Sequence, residues 1–177
     1  MRIAPLKYPK QIPDKLFYHA KSGPEGQYDL FNLMSLKSGK KTGFLVLQKG
    51  KTFIENCYSG NILFVNYIAS FPTGQGYGQT MIDFAKKFSQ RNGCNGHLML
   101  KADVSLLPQK IPHLFYRKNN FTTLNKKIDK KMDSFIKKGK TATYKDFPSL
   151  IMYYFKPSNA EHKPTFFEKI KNLFRQK

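Results

Sequence analysis

The chain has no tryptophan, two cysteines, four histidines and only 11 acidic residues among its 177. Each scarcity excludes something. Cys57 and Cys94 cannot build a disulfide framework, nor a zinc site by themselves. His19, His97, His113 and His162 show no metal-ligand spacing. No apolar run approaches the ~20 residues of a membrane-spanning helix. The opening MRIAPLKYPKQIP is broken by prolines and lacks the apolar centre of a signal peptide, so a soluble, cytoplasmic protein is expected. Arginine is also scarce. Only Arg2, Arg91, Arg117 and Arg175 occur, and the other 27 of the 31 cations are lysine.

What remains is strongly basic. A net charge of +20 predicts polyanionic company: nucleic acid, anionic lipid or a phosphate-rich cofactor. The shortage of arginine weighs against bidentate reading of phosphates and bases, and a lysine- and asparagine-rich surface also follows from plain codon bias. Hydrophobic residues make up 40% and aromatics 15%, enough for a sizeable core and too much for a disordered chain. The length suits one domain with a tail.

Residues 1–27 hold Pro5, Pro9, Pro13 and Pro24 and read as an extended lead-in, with room for a short strand at 16–19. From Tyr28 the texture becomes β-rich, with runs at 28–36, 43–48, 52–58 and 62–69. Turn clusters at 37–41, 49–51 and 59–61 separate them, so antiparallel hairpins are expected. The period then changes. Tyr77, Met81, Ile82, Phe84, Ala85 and Phe88 recur at helical spacing, and Asn92-Gly93 supplies a stop. A buried strand at 96–103, a short helix from Pro112 to about Asn119 and a last strand at 149–155 complete an α+β order with one β-α-β crossover. A lysine-rich insertion, 124–147, carries Ile128, Met132, Phe135 and Ile136 on one helical face. Residues 157–177 read as a linker and an amphipathic C-terminal helix, with Phe166, Phe167, Ile170, Leu173 and Phe174 on its apolar stripe.

The chemistry concentrates in NILFVNYIASFPTGQGYGQ, residues 61–79. A buried strand ends in a turn holding Gly74, Gly76 and Gly78, and a helix begins at once. Glycines there leave successive backbone N–H groups uncovered at the positive end of a helix, which is a cradle for phosphate. The dinucleotide fingerprint would need a third glycine at Gln79 or Met81 and a parallel βαβ setting, and the P-loop pattern is absent. As an isolated glycine cluster, a tight strand-to-helix turn reads equally well.

The run TGQGYGQTMIDFA resembles the acyl-CoA loop of the GNAT superfamily of N-acetyltransferases, whose signature is [QR]-x-x-G-x-[GA]. Downstream, LFYRKNNF is similar to that superfamily's lYekxGF segment, and GHLMLKAD occupies the intervening strand. The resemblance spans residues 28–155. It implies a GNAT-like fold: a mixed, mostly antiparallel, bent sheet with a β-α-β crossover after the fourth strand and few or no helices between the first strands. The domain would cover 28–156. The resemblance implies acetyl-CoA as cosubstrate, its pyrophosphate on the loop formed by Gly74, Gln75, Gly76, Tyr77, Gly78 and Gln79. Ile68 and Ala69 would pair with its pantetheine arm, and Tyr116 would stand near the sulfur as proton donor.

The departures are specific. Thr73 replaces Gln or Arg, Asn120 stands for the usual Gly, and Asp103 lies where Asn is frequent. The helices usually inserted between the first strands, which wall the acceptor site, have no room in residues 37–42. The lysine-rich insertion is the candidate replacement wall, expected to be helical and to lie beside the thioester end. No general base stands out among Glu55, His97 and Asp103. The function implied is acetyl transfer from acetyl-CoA to a primary amine of unknown identity. The alternatives are a non-catalytic GNAT-like module and a nucleic-acid-directed protein such as an aminoacyl-tRNA-modifying acetyltransferase. A membrane-surface role for the C-terminal stripe is a lesser alternative.

Overall fold

The computed structural model describes residues 15–22, 28–36, 38–105 and 111–156. The expected C-terminal helix at 157–177 and the prolines of the lead-in lie outside them. One six-stranded sheet runs in the order β1-β2-β3-β4-β5-β6. Its strands are β1 (Lys15–Ser22), β2 (Asp29–Ser35), β3 (Lys41–Ile54), β4 (Tyr58–Ser70), β5 (Leu98–Ala102) and β6 (Leu150–Tyr154). Every neighbouring pair is antiparallel except β4 and β5, which are parallel and joined through helix α1 (Tyr77–Arg91). This is the mixed, mostly antiparallel α+β sheet, with its crossover after the fourth strand. No helix separates β1 to β4 among the described residues.

Three local expectations are corrected. The short strand given room at 16–19 is present but longer, spanning 15–22 and pairing along β2. The runs at 43–48 and 52–58 belong largely to one continuous strand, β3, which passes through Lys49-Gly50-Lys51 without turning. Gly50 serves packing there: a Cβ would stand 2.4 Å from the Phe64 ring on β4. Residues 59–61 likewise lie inside β4. The hairpin turns instead at residues 55–57, where Asn56 adopts a left-handed φ of 55° and Cys57 N donates to Ile54 O.

The core lies between the sheet and α1. Phe31, Leu33, Leu45, Leu47, Leu63 and Val65 face Met81, Ile82, Phe84 and Ala85 of the helix, all buried. These are the apolar positions whose spacing predicted the helix. Asn92 ends α1, its backbone N–H and its side-chain amide both donating to Phe88 O, and Gly93 follows at φ 78°. Truncating one of these buried leucines to alanine costs about 2–5 kcal/mol.

Two further helices complete the second arm of the molecule. Helix α2 (His113–Lys118) ends at Asn119, and Asn120 takes the left-handed conformation at φ 66°. Helix α3 (Lys126–Lys137) lies in the lysine-rich insertion and packs on α2. Asn125 caps α3 by accepting from Lys127 N and Ile128 N. Arg117 clasps the two helices: its Nε and Nη2 bind Asp133 at 2.7 and 2.8 Å, and Nη1 donates to Phe121 O. Asp129, buried at the base of α3, accepts from Thr122 Oγ1 and from Thr123 N and Oγ1. The insertion is helical, as expected, but its lysines are not all free. Lys131 Nζ donates to Asp146 O at 2.7 Å and sits over the Phe147 ring.

Candidate functional site

The sheet opens where β4 parts from β5. Their pairing consists of Leu63 with Leu98, Phe64 with Met99 and Val65 with Leu100. Beyond Val65, β4 continues to Ser70 with β3 alone, Ile68 paired with Leu45 and Ala69 with Phe44. The parting coincides with a β-bulge. Val46 pairs with Tyr67 and Leu47 with Val65, so Asn66 is the extra residue, an irregularity no sequence pattern announced. Its side chain turns outward and donates to Gln48 Oε1 at 2.8 Å. A bulge removes a residue's backbone from regular ladder pairing and bends the strand. The result is a V between β4 and β5 with polar backbone along its β4 side.

The glycine loop stands at the open end of that V. Residues 71–76 are exposed and link the end of β4 directly to α1. Gly76 is the N-cap residue at φ 74°, and it offers no side chain to bond the helix's first N–H groups. The first intrahelical bond is Thr80 N donating to Gly76 O at 3.1 Å, which leaves the preceding N–H groups of the helix without intrahelical partners. No acidic residue occupies the first turn, and a Cβ on Gly74 or Gly76 would meet nothing within 4 Å. The loop is therefore a positively polarised, unobstructed cradle that fits a phosphate group. Gly78 serves a different purpose. A Cβ there would come within 3.2 Å of Phe115 Cζ, so this glycine lets α2 pack on the first turn of α1.

That contact brings α2 to the loop, and Tyr116 follows Phe115. Tyr116 is 6% exposed and packs its ring on Phe115 and Phe121. Burial pushes its phenol up to about 12. The group stays protonated at neutral pH, a hydrogen-bond donor more than a ready acid. Among the candidate bases, the structure removes two by position. Glu55 follows Ile54 at the hairpin tip, roughly 25 Å along the strand from the Asn66 bulge at ~3.3 Å per residue. His97 precedes β5 at the end away from the V, its ring against Tyr58 and Phe155 at 4.9 and 5.6 Å. Asp103 does lie at the V end of β5, but Ser105 N, Lys101 Nζ and Ser149 Oγ bind it. Those bonds hold its carboxyl far below the usual carboxylate range, which makes it a poor proton acceptor.

Residues 68, 69, 74–79 and 116 thus come from β4, the loop, α1 and α2. Shared features bring them together: the unpaired end of β4 runs into the loop, and Gly78 meets Phe115. No cluster of three or more His, Cys, Asp or Glu residues that could hold a metal occurs among the described residues.

No protein-family profile matches the sequence, and no curated protein matches it either. Solved structures do resemble it. The NAA60 protein of Arabidopsis thaliana in complex with a bisubstrate analogue is 12% identical, with 75% of this chain and 78% of that chain covered, at a TM-score of 0.49. The AtaT Y144F mutant toxin bound to the C-terminus of the antitoxin AtaR and acetyl-CoA is 12% identical, with coverage of 80% and 92% and a TM-score of 0.47. Glucosamine-6-phosphate N-acetyltransferase from Arabidopsis thaliana is 20% identical over 52% of this chain and 58% of that one, with a TM-score of 0.38.

Proposed function

We propose that this chain transfers the acetyl group of acetyl-CoA to a primary amine. The observation that carries the reading is one continuous feature: β4 leaves β5 after Val65, bulges at Asn66, and runs into an open glycine cradle at the start of α1. An elongated molecule with an amide-bearing arm and a diphosphate fits that shape, the arm against the free edge at Ile68 and Ala69. The cradle at residues 74–79 fits the diphosphate, with backbone N–H groups as donors and no side chain in the way.

Acetyl-CoA supplies a thioester carbon that an amine nitrogen attacks, with the carbon–sulfur bond breaking and CoA leaving as thiol. The backbone N–H freed at the Asn66 bulge is the candidate hydrogen-bond donor to the carbonyl oxygen. The Tyr116 hydroxyl donates to the departing sulfur. With its pKa pushed up to about 12 by burial it is a weaker acid than an ordinary phenol, so complete proton release is harder. It therefore stabilises the leaving group chiefly as a hydrogen-bond donor. The amine loses its proton to solvent, since neither Glu55 nor His97 reaches the V and Asp103 stays ionised. The strongly basic chain favours the neutral amine in that step.

The test joins calorimetric titration of acetyl-CoA to a thiol-release assay over a panel of amines. Binding with amine-dependent thiol release supports transfer. Failure to bind millimolar acetyl-CoA refutes the reading. Binding without turnover for any amine selects the second reading, a non-catalytic CoA-binding module, which the buried phenol and missing base favour.

A further inference from the structure

The face of the sheet turned away from α1 carries aromatic rings in the open. Gly43 marks the orientation, because a Cβ there would point at Met81 of α1, so Phe44 points to the opposite face. On that face Tyr67 lies flat on Phe44, ring centroids 5.2 Å apart and planes 3° from parallel. Phe71 adjoins Phe44 at 6.2 Å, and Lys41 Nζ stands 4.8 Å over the Phe44 ring. Tyr67 and Phe71 are 43% and 45% exposed, and the Lys41 side chain is exposed beside them. No described helix covers this end of the sheet. The strip is assembled from β3, β4 and the residue after β4, so the sequence shows it only as scattered aromatics.

Exposed large aromatics standing together on a basic chain need a reason. Burying them against an apolar partner would leave Lys41 desolvated without counter-charge. A planar ligand carrying negative charge satisfies both components. We propose that this strip is a platform for single-stranded nucleic acid, with bases stacking on Tyr67 and Phe71 and phosphates meeting Lys41. Stacking on π-faces is tolerant of sequence, and it does not need the bidentate arginine that this chain lacks. The net charge of +20 supplies the long-range attraction. The platform opens on the side of β4 opposite α1, next to the Asn66 bulge. It stands independently of the acetyl-CoA reading.

The experiment measures fluorescence anisotropy of labelled 12-nucleotide single strands, ribo- and deoxyribo-, with the matching duplex, in the absence of acetyl-CoA. The chain should prefer single strands, and the two sugar arms identify which nucleic acid it takes. Tyr67→Ala should weaken binding about ten-fold with an unchanged salt slope, and Tyr67→Phe should restore it. Lys41→Gln should instead reduce the slope of log affinity against log salt by about 0.7. Because Tyr67 is surface-exposed, thermal melting should verify that Tyr67→Ala folds. Parental affinity in Tyr67→Ala, equal affinity for duplex, or no binding at all would each overturn the platform. Calorimetry of acetyl-CoA on the same samples keeps the failure of either reading separate from the other.

Discussion

Replacing Gly76 by asparagine and by aspartate separates backbone strain from charge in the glycine cradle. Gly76 sits at φ 74° with nothing within 4 Å of a Cβ, so both side chains fit, and both tolerate left-handed backbone better than other residues. The two variants differ by one negative charge. An aspartate carboxylate would lie about 6 Å from a diphosphate seated on the loop. Each pair of unit charges at that distance repels by about 0.7 kcal/mol in bulk water and about 2.8 kcal/mol at an effective dielectric of 20. Two phosphate charges and an exposed loop place the total near 1.5–3 kcal/mol, roughly a ten- to hundred-fold loss of acetyl-CoA affinity in Gly76→Asp relative to Gly76→Asn. Without ligand the sign reverses, since an acid at a helix N-terminus stabilises by about 0.3–1 kcal/mol. Gly76→Asp should therefore melt no lower than Gly76→Asn while binding more weakly. Calorimetry at low and physiological salt, paired with thermal melts, reads both quantities, and added salt should narrow the affinity gap. Equal affinities in the two variants at low salt would refute the cradle.

Tyr116→Phe keeps the ring that packs on Phe115 and Phe121, so acetyl-CoA binding should persist while amine-dependent thiol release falls about 10²-fold. Equal turnover would return this residue to the core. His113 is fully buried, with Nε2 2.7 Å from Pro148 O and no partner for Nδ1, and burial pushes its pKa below the ordinary 6.5. The unfolded chain then takes up the proton first. Stability is complete above pH 6.5 and declines as pH falls below it, by at most about 1.4 kcal/mol per pH unit for this one group. Melting curves from pH 8 to 5 should show that decline, shallower in His113→Gln; identical pH slopes in the two proteins would remove His113 from the effect.

The parts legible in the sequence were those set by local chemistry. The α1 period, its Asn92-Gly93 stop, the glycine turn and the left-handed Asn120 each depend on a few neighbouring residues. The illegible parts were set across strands. Lys49-Gly50-Lys51 has the composition of a turn, yet Gly50 is there because the Phe64 ring lies on it. The lead-in leaves room only for a short strand at 16–19, and its extension to 15–22 follows from the partner that β2 supplies. The lysine-rich insertion shows its helical face in the sequence but not its polar ties, in which Asp133 binds Arg117 and Lys131 reaches Asp146 O. Charge counts cannot report such pairings. Tyr116 was found by resemblance, whereas its burial, and with it the weaker acidity, required the packed structure.

The same distinction explains why the candidate site was partly foreseen and partly not. The cradle is local, written in residues 73–79, and its glycines declare it. The V above it depends on where β5 stops pairing with β4, which is decided by three residue pairs and one extra residue, Asn66. An extra residue in β4 leaves Asn66 and Tyr67 adjacent in the outward direction, instead of alternating across the sheet. Asn66 reaches Gln48, and Tyr67 is set over Phe44. The bulge therefore does two things at once: it bends the strand away from β5 on one side, and it lays down the aromatic platform on the other. The parting of β4 from β5 and the platform then share one irregularity, so a change that straightens β4 should disturb both together.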